Sequence, residues 1–295
     1  MTTATQSHQT ATALLDFYAN NGWANRVGIQ LLEATPAAVS LFLGYDERNL
    51  NAPGGVVHGG VIGTLIHDAG QLLSKLHFAQ TPIRQIRPLD IQINYMIGAK
   101  EADLTATATL IRATRALAFI DVEVQNQNRQ CVARAHTLFR IAPADEEAVE
   151  LDSALLHELA VKSPLALNQI GEMIKGNVAR HAEGLQVLGL DQSRVRFTLD
   201  DLASNRDHEG ALAGGAVLLL LDDAGVFCSF GQIQRGRAAT VDLKVNFCQS
   251  LAGEQVIAFG HCLKRQSEAI TNQVLLFGAS SGRLGAIGTM TFWGS

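Results

Sequence analysis

The chain has 295 residues, 47% of them hydrophobic and 17% charged, with a formal net charge of −5. That length and apolar content allow two ordinary cores or one large one. The charge balance, with arginines scattered at 84, 87, 112, 115, 235 and 237, excludes a nucleic-acid surface, and the most apolar run, 211–221, is too short to span a bilayer.

The stretch Met1 to Thr12 is polar and lacks the basic start and apolar core of a secretory signal, so the chain reads as cytoplasmic. A short helix is expected over 10–20, then strands over 26–33 and 37–44. A glycine-rich helix start follows, His58-Gly59-Gly60-Val61-Ile62-Gly63-Thr64-Leu65-Ile66-His67-Asp68-Ala69-Gly70. Alternating apolar and polar residues over 88–95 mark a strand with one buried face, and further strands are expected over 103–113, 117–127 and 130–141. The acidic segment 142–152, which contains Pro143, is the natural linker.

The same series then returns. A helix is expected over 151–161, strands over 184–190 and 193–199, and a second helix start from Ala213-Gly214-Gly215 to Asp222-Asp223-Ala224-Gly225. Strands over 240–247, 254–265, 268–278 and 283–293 complete it. The two helix starts are offset by a constant 155 residues (213 − 58 and 223 − 68), and the strands after them by 152 (242 − 90). One fold is therefore duplicated: an α+β domain over 1–142, a linker over 143–152 and a second domain over 153–295. Cys131, Cys228, Cys248 and Cys262 have no metal-ligand or CxxC spacing and read as free thiols, with no metal site.

A helix N-terminus offers unpaired amides and a partial positive charge, and glycines let a ligand oxygen approach them closely. Gly59 and Gly60 thus suit the polarisation of a carbonyl and of the oxyanion formed on attack. The position nine residues after His58 lies roughly 13 Å further along the helix axis, so an acid there cannot serve its own helix start. A base for one helix start must come from a second helix. His67 and Asp68 are adjacent on a helix and point about 100° apart, so they are not expected to form a dyad; His67 reads as a core imidazole.

His-Gly-Gly with Gly55 before it, together with Thr240-Val241-Asp242-Leu243 and Asn246-Phe247, resembles the PaaI-type acyl-CoA thioesterases of the hotdog fold. The resemblance implies two tandem hotdog domains, each a curved antiparallel sheet around a long central helix, forming an intramolecular pseudo-dimer. It also implies thioester hydrolysis without a cofactor, coenzyme A being part of the substrate. The halves depart from the family pattern in complementary ways. The first keeps His58 but has His67 where the acid belongs; the second keeps Asp222 but has Ala213 where the His belongs, and Thr240 of the second is Pro88 in the first. One composite site is complete: Asn51, His58 and Gly59 from the first half with Asp222 and Thr240 from the second. Gly55, Gly60 and Asp223 are assigned to substrate binding. In this assignment Asp222 is base or nucleophile, Gly59 N–H binds the thioester oxygen, His58 orients the loop, and Thr240 positions water or the carboxylate.

The partners expected are an acyl-CoA and a second copy of the chain, with no nucleic acid and no membrane. Two other readings stay open: a non-catalytic acyl-CoA-binding module, and a hydratase or dehydratase acting on acyl thioesters through His58 and Asp222.

Overall fold

The computed structural model describes residues 20–51, 55–79, 85–142, 165–167, 175, 178, 180–230, 232–233 and 238–294. The linker 143–152, the helix expected over 151–161 and that expected over 10–20, save its last residue, lie outside them. A helix does stand at α1 (Gly22–Val27), where the strand had been expected to begin at 26. Asn21 caps it by accepting the Ala24 N–H, and Gly28 ends it in the left-handed region at φ 88°. The strand therefore starts only at Ile29.

The first half continues through β1 (Ile29–Ala34), β2 (Ala38–Leu43), the short hairpin β3 (Leu50–Asn51) and β4 (Val56–Val57), and the long helix α2 (Gly59–His77). Strands β5 (Gln85–Tyr95), β6 (Leu104–Ala113), β7 (Leu117–Asn126) and β8 (Cys131–Ala142) follow. The second half repeats the plan with β9 (Leu185–Leu190), β10 (Arg194–Leu199), helix α3 (Gly214–Phe230), β11 (Ala238–Phe247), β12 (Val256–Gln266), β13 (Ala269–Gly278) and β14 (Leu284–Gly294).

All strands outside the hairpin form one antiparallel sheet in the order β1-β2-β6-β7-β8-β5-β11-β14-β13-β12-β10-β9. Each half supplies six neighbouring strands and wraps them on its own helix, which is the hotdog arrangement twice over. Inward positions such as Ile91 and Ile93 on β5, and Leu104, Ala106 and Ala108 on β6, are buried. Val61, Ile62, Leu65, Ile66, Leu72 and Leu73 on α2 and the run Val217 to Leu221 on α3 are buried too. Neither helix has a free polar face, because sheet and partner helix enclose it.

The halves join through β5 and β11. Asp90 opposes Asn246, Gln92 opposes Lys244 and Asn94 opposes Asp242, so the register is symmetric about the Gln92–Lys244 pair. The central helices obey the same pseudo-twofold. Gly60 packs on the Cα of Leu219, while Gly215 packs on Thr64, so α2 and α3 run antiparallel with glycines at the points of closest approach. Each helix start is thereby laid against the middle of the other helix.

Candidate active site

Two asparagines fix the helix starts. The buried Asn49 donates its side-chain amide to Val27 O at 2.8 Å, and its backbone carbonyl accepts the His58 N–H at 2.9 Å. Asn205 repeats this in the second half, donating to Glu183 O at 2.7 Å and accepting the Ala213 N–H at 3.0 Å. Asn51, two residues from Asn49, is exposed in the hairpin opposite Val56. Gly55 lies in the hairpin turn at φ 69°, where its carbonyl accepts the Glu101 N–H at 2.9 Å.

His58 caps α2: its Nδ1 accepts the Gly60 N–H at 2.9 Å. That bond leaves the ring proton on Nε2, which donates to Asp223 Oδ1 at 2.9 Å. The other side of Asp223 is held by His181, whose Nδ1 lies 2.9 Å from Oδ2. The two imidazoles meet edge to face with centroids 4.5 Å apart. His58 Nε2, His181 Nδ1 and an Asp223 oxygen lie within 4.8 Å of one another, a donor set of metal-ligand type. Their mutual hydrogen bonds already satisfy the carboxylate and one nitrogen of each ring, so the cluster needs no ion to be stable.

Asp222 lies on the opposite side of His58. Its Oδ2 accepts the Gly60 N–H at 3.0 Å and sits 3.4 Å from His58 Nδ1, while Oδ1 accepts the Thr240 hydroxyl at 2.9 Å. A Cβ at Gly59 would lie 2.7 Å from Oδ2, so only glycine leaves room for the carboxylate at this place. The Gly60 amide is engaged by both His58 and Asp222; the Gly59 amide meets no acceptor among the described residues. Tyr95, from the strand after α2, donates its hydroxyl to Gly59 O at 3.0 Å. The fold thus brings together His58, Gly59, Gly60, Asp222, Asp223 and Thr240, and leaves Asn51 and Gly55 in the hairpin.

Burial alone pushes both aspartates up, but their neighbours separate them. Burial holds Asp222 above the ordinary carboxylate range, with the charge of Asp223 adding to it and His58, Thr240 and Gly60 opposing. Burial acts on Asp223 as well, yet His181 and His58 outweigh it and drive that carboxyl far below the usual range. Burial pulls His58 down, and Asp223 and then Asp222 more than reverse this, so its net shift is upward. Burial, then the Asp222 charge, pushes Tyr95 well above the usual phenol range, which keeps its hydroxyl a donor. The surroundings thus drive the titrations of these two neighbouring acids in opposite directions.

The sequence reading missed His181 and Tyr95. His181 comes from the segment before β9, which carries no periodic signal. Tyr95 aligns with Phe247 in the repeated strand, and that one-atom difference between the halves was its only mark. One expectation is overturned. His67 Nδ1 and Asp68 Oδ1 are 2.8 Å apart, so these neighbours do pair. The 100° between adjacent Cβ directions is bridged because both side chains reach along the helix surface beyond Cβ.

Residues 54–133 match the family model of the thioesterase superfamily. A protein of Halobacterium salinarum, provisionally described as an esterase, is 28% identical over 117 residues, covering 39% of this chain and 77% of that protein. Solved structures extend the likeness to both halves. A provisionally described thioesterase of Novosphingobium aromaticivorans is 17% identical with a TM-score of 0.64, over 90% of this chain and 98% of that one. The TesB protein of Mycobacterium avium subsp. paratuberculosis is 12% identical with a TM-score of 0.60, over 97% and 98%. A hot dog fold protein from Alicyclobacillus acidocaldarius gives 14% and 0.59, over 90% and 95%. At these identities the structures share the tandem hotdog fold.

Proposed function

We propose, from a tandem hotdog chain whose first half matches the thioesterase superfamily, that this protein hydrolyses apolar acyl-CoA thioesters at one composite site between its halves. The observation that supports this most is the placement of Asp222, from α3, against the Gly59–Gly60 start of α2, with Thr240 as its second partner. Asp222, raised by burial above the ordinary carboxylate value, is a stronger base than a free carboxylate and suits the removal of a proton from water.

In the proposed step Asp222 removes one proton from water as the oxygen adds to the thioester carbon. The carbonyl oxygen becomes an oxyanion and is held by the Gly59 N–H and the positive end of α2. Collapse restores the carbonyl and breaks the carbon–sulfur bond. The departing thiolate takes the proton back from Asp222, giving a carboxylic acid and the free thiol. Thr240 fixes the carboxylate through Oδ1 and leaves Oδ2 facing the helix start. His58 does not need to titrate. Its Nδ1 caps α2 and its Nε2 is bound to Asp223, so it is committed to positioning. That commitment also weighs against the hydratase reading, which requires His58 as an acid or base.

The test is release of free thiol from short, medium, long and aromatic acyl-CoAs by wild type beside Asp222→Asn. Turnover that falls sharply in the variant supports the reading. Wild-type turnover unchanged by Asp222→Asn overturns the base assignment, and acyl-CoA binding without turnover supports a ligand-binding module instead.

A further inference from the structure

The pseudo-twofold that sets Asp222 against Gly59 sets His67 against Gly214. A Cβ at Gly214 would collide with Nε2 of His67, as one at Gly59 would meet Asp222 Oδ2. The offsets agree, since 222 − 67 and 214 − 59 are both 155. His67 is only 3% exposed, its Nδ1 is bound to Asp68, and its Nε2 has no hydrogen-bond partner. A carboxylate only accepts, so with the proton of the pair on Nδ1 the lone pair of His67 lies on Nε2. A buried polar atom left unsatisfied in a native fold costs stability and calls for a reason.

The helix start that faces it is uncapped. Where His58 caps α2, Ala213 has no side-chain group to cap α3, and the Gly214 and Gly215 amides meet no acceptor among the described residues. The surroundings are apolar: the Phe139 and Phe247 rings lie 5.8 and 6.2 Å from the imidazole, and the Trp23 and Thr64 side chains border Gly215. Trp23 Nε1 and the Thr64 hydroxyl are tied to each other at 3.1 Å, so they form a closed wall.

We infer that this second helix start is a second acyl-ester hydrolysis site, with His67 as its base, Asp68 as the residue that orients it, and the Gly214–Gly215 amides as its oxyanion donors. Its substrate class is an ester or thioester of an apolar acid. His67 Nε2 takes a proton from water as the oxygen adds to the carbonyl carbon, and the amides hold the oxyanion. Collapse breaks the bond to the leaving oxygen or sulfur, which recovers the proton from the imidazolium, leaving an acid and an alcohol or thiol. This site uses an imidazole where the Asp222 site uses a carboxylate and does not depend on Asp222 for its chemistry.

The experiment compares Asp222→Asn with Asp222→Asn/His67→Gln on p-nitrophenyl butyrate and on the acyl-CoA panel, with circular dichroism to confirm that both are folded. We expect a residual rate in Asp222→Asn that falls about a hundredfold when His67 is also changed, the scale of a lost general base. A residual rate equal in the two variants overturns the inference. Where the wild-type chain turns over none of these esters, the Asp222 reading has failed separately, and the stoichiometry of S-(2-oxoheptyl)-CoA, a carbonyl thioether that cannot be hydrolysed, decides. Two equivalents per chain, falling to one in His67→Gln, support the second site. One, none, or two unaffected by His67→Gln overturn it. Should the double variant fail to fold, the same count on wild type and His67→Gln decides.

Discussion

Asp222 and Asp223 are consecutive residues of one helix, yet they address opposite nitrogens of the same imidazole: Asp222 Oδ2 is 3.4 Å from His58 Nδ1 and Asp223 Oδ1 is 2.9 Å from His58 Nε2. Asp223 collects two imidazole donors and stays ionised, while Asp222 receives one hydroxyl and one shared amide and remains the more readily protonated of the two.

The rate of thiol release should therefore rise with pH as Asp222 ionises, along a limb displaced above the ordinary carboxylate range. Thr240→Val removes a bond that favours the ionised form, so the limb should move to still higher pH. A hydrogen bond to a charged group contributes about 1.5–3 kcal/mol, so the rate on the rising part of the limb should fall about 10- to 150-fold at a given pH. A pH–rate profile of wild type and Thr240→Val checks both. A lower rate with an unmoved limb would mean that Thr240 acts on the substrate rather than on Asp222.

Stability should respond to Asp222 in the opposite sense from activity. Its folded-state titration lies above its unfolded one, so the stability linked to it is fully present below the unfolded value and is lost as pH rises through the folded value. Asp222→Asn removes that loss. The variant should melt higher than wild type at pH 8, with the difference shrinking as the pH is lowered toward 4. Melting curves at several pH values test this, and a variant less stable at pH 8 would contradict it.

Asp223 has the reverse linkage: its stabilisation is present above the unfolded carboxylate value and is lost as pH falls through the depressed folded value. Asp223→Asn leaves two buried imidazoles, on His58 and His181, short of their acceptor. A destabilisation of about 1.5–3 kcal/mol at neutral pH is expected, read from denaturant midpoints. His181→Ala should give a smaller loss, because His58 keeps its own contact with Asp223 Oδ1.

Much of this was legible in the sequence because the duplication provides an internal control. Strand limits fell within three residues of the observed ones, since alternation and turn residues are local signals. The cross-half placement of Asp222 followed from one length, the rise of a helix over nine residues. What stayed hidden depends on side-chain reach and on position in space. His181 stands in a helical turn four residues ahead of β9, with nothing local to distinguish it from a surface histidine. The Asn51 assignment rested on the resemblance, as the asparagine one residue from the family's position, whereas the residue whose backbone carbonyl takes the His58 N–H, with its carboxamide fixed on Val27 O, is Asn49. The His67–Asp68 pairing was rejected on Cβ directions alone, which do not bound where Nδ1 and a carboxylate oxygen meet.

Gly59 and Gly60 are adjacent, but adding a methyl group to each should have different consequences. At Gly59 the new Cβ meets only the far end of the Asp222 side chain, 2.7 Å from Oδ2, which can rotate away. Gly59→Ala should then keep a near-native melting temperature while losing most of its thiol release, because the carboxylate no longer rests at the helix start. At Gly60 the Cβ runs into the backbone of Leu219, which cannot yield without parting α2 from α3. Overpacking of this kind costs about 1–3 kcal/mol, so Gly60→Ala should be destabilised first and foremost. Equal losses of stability in the two variants would show that Asp222 is held rigidly and that the first glycine serves packing alone.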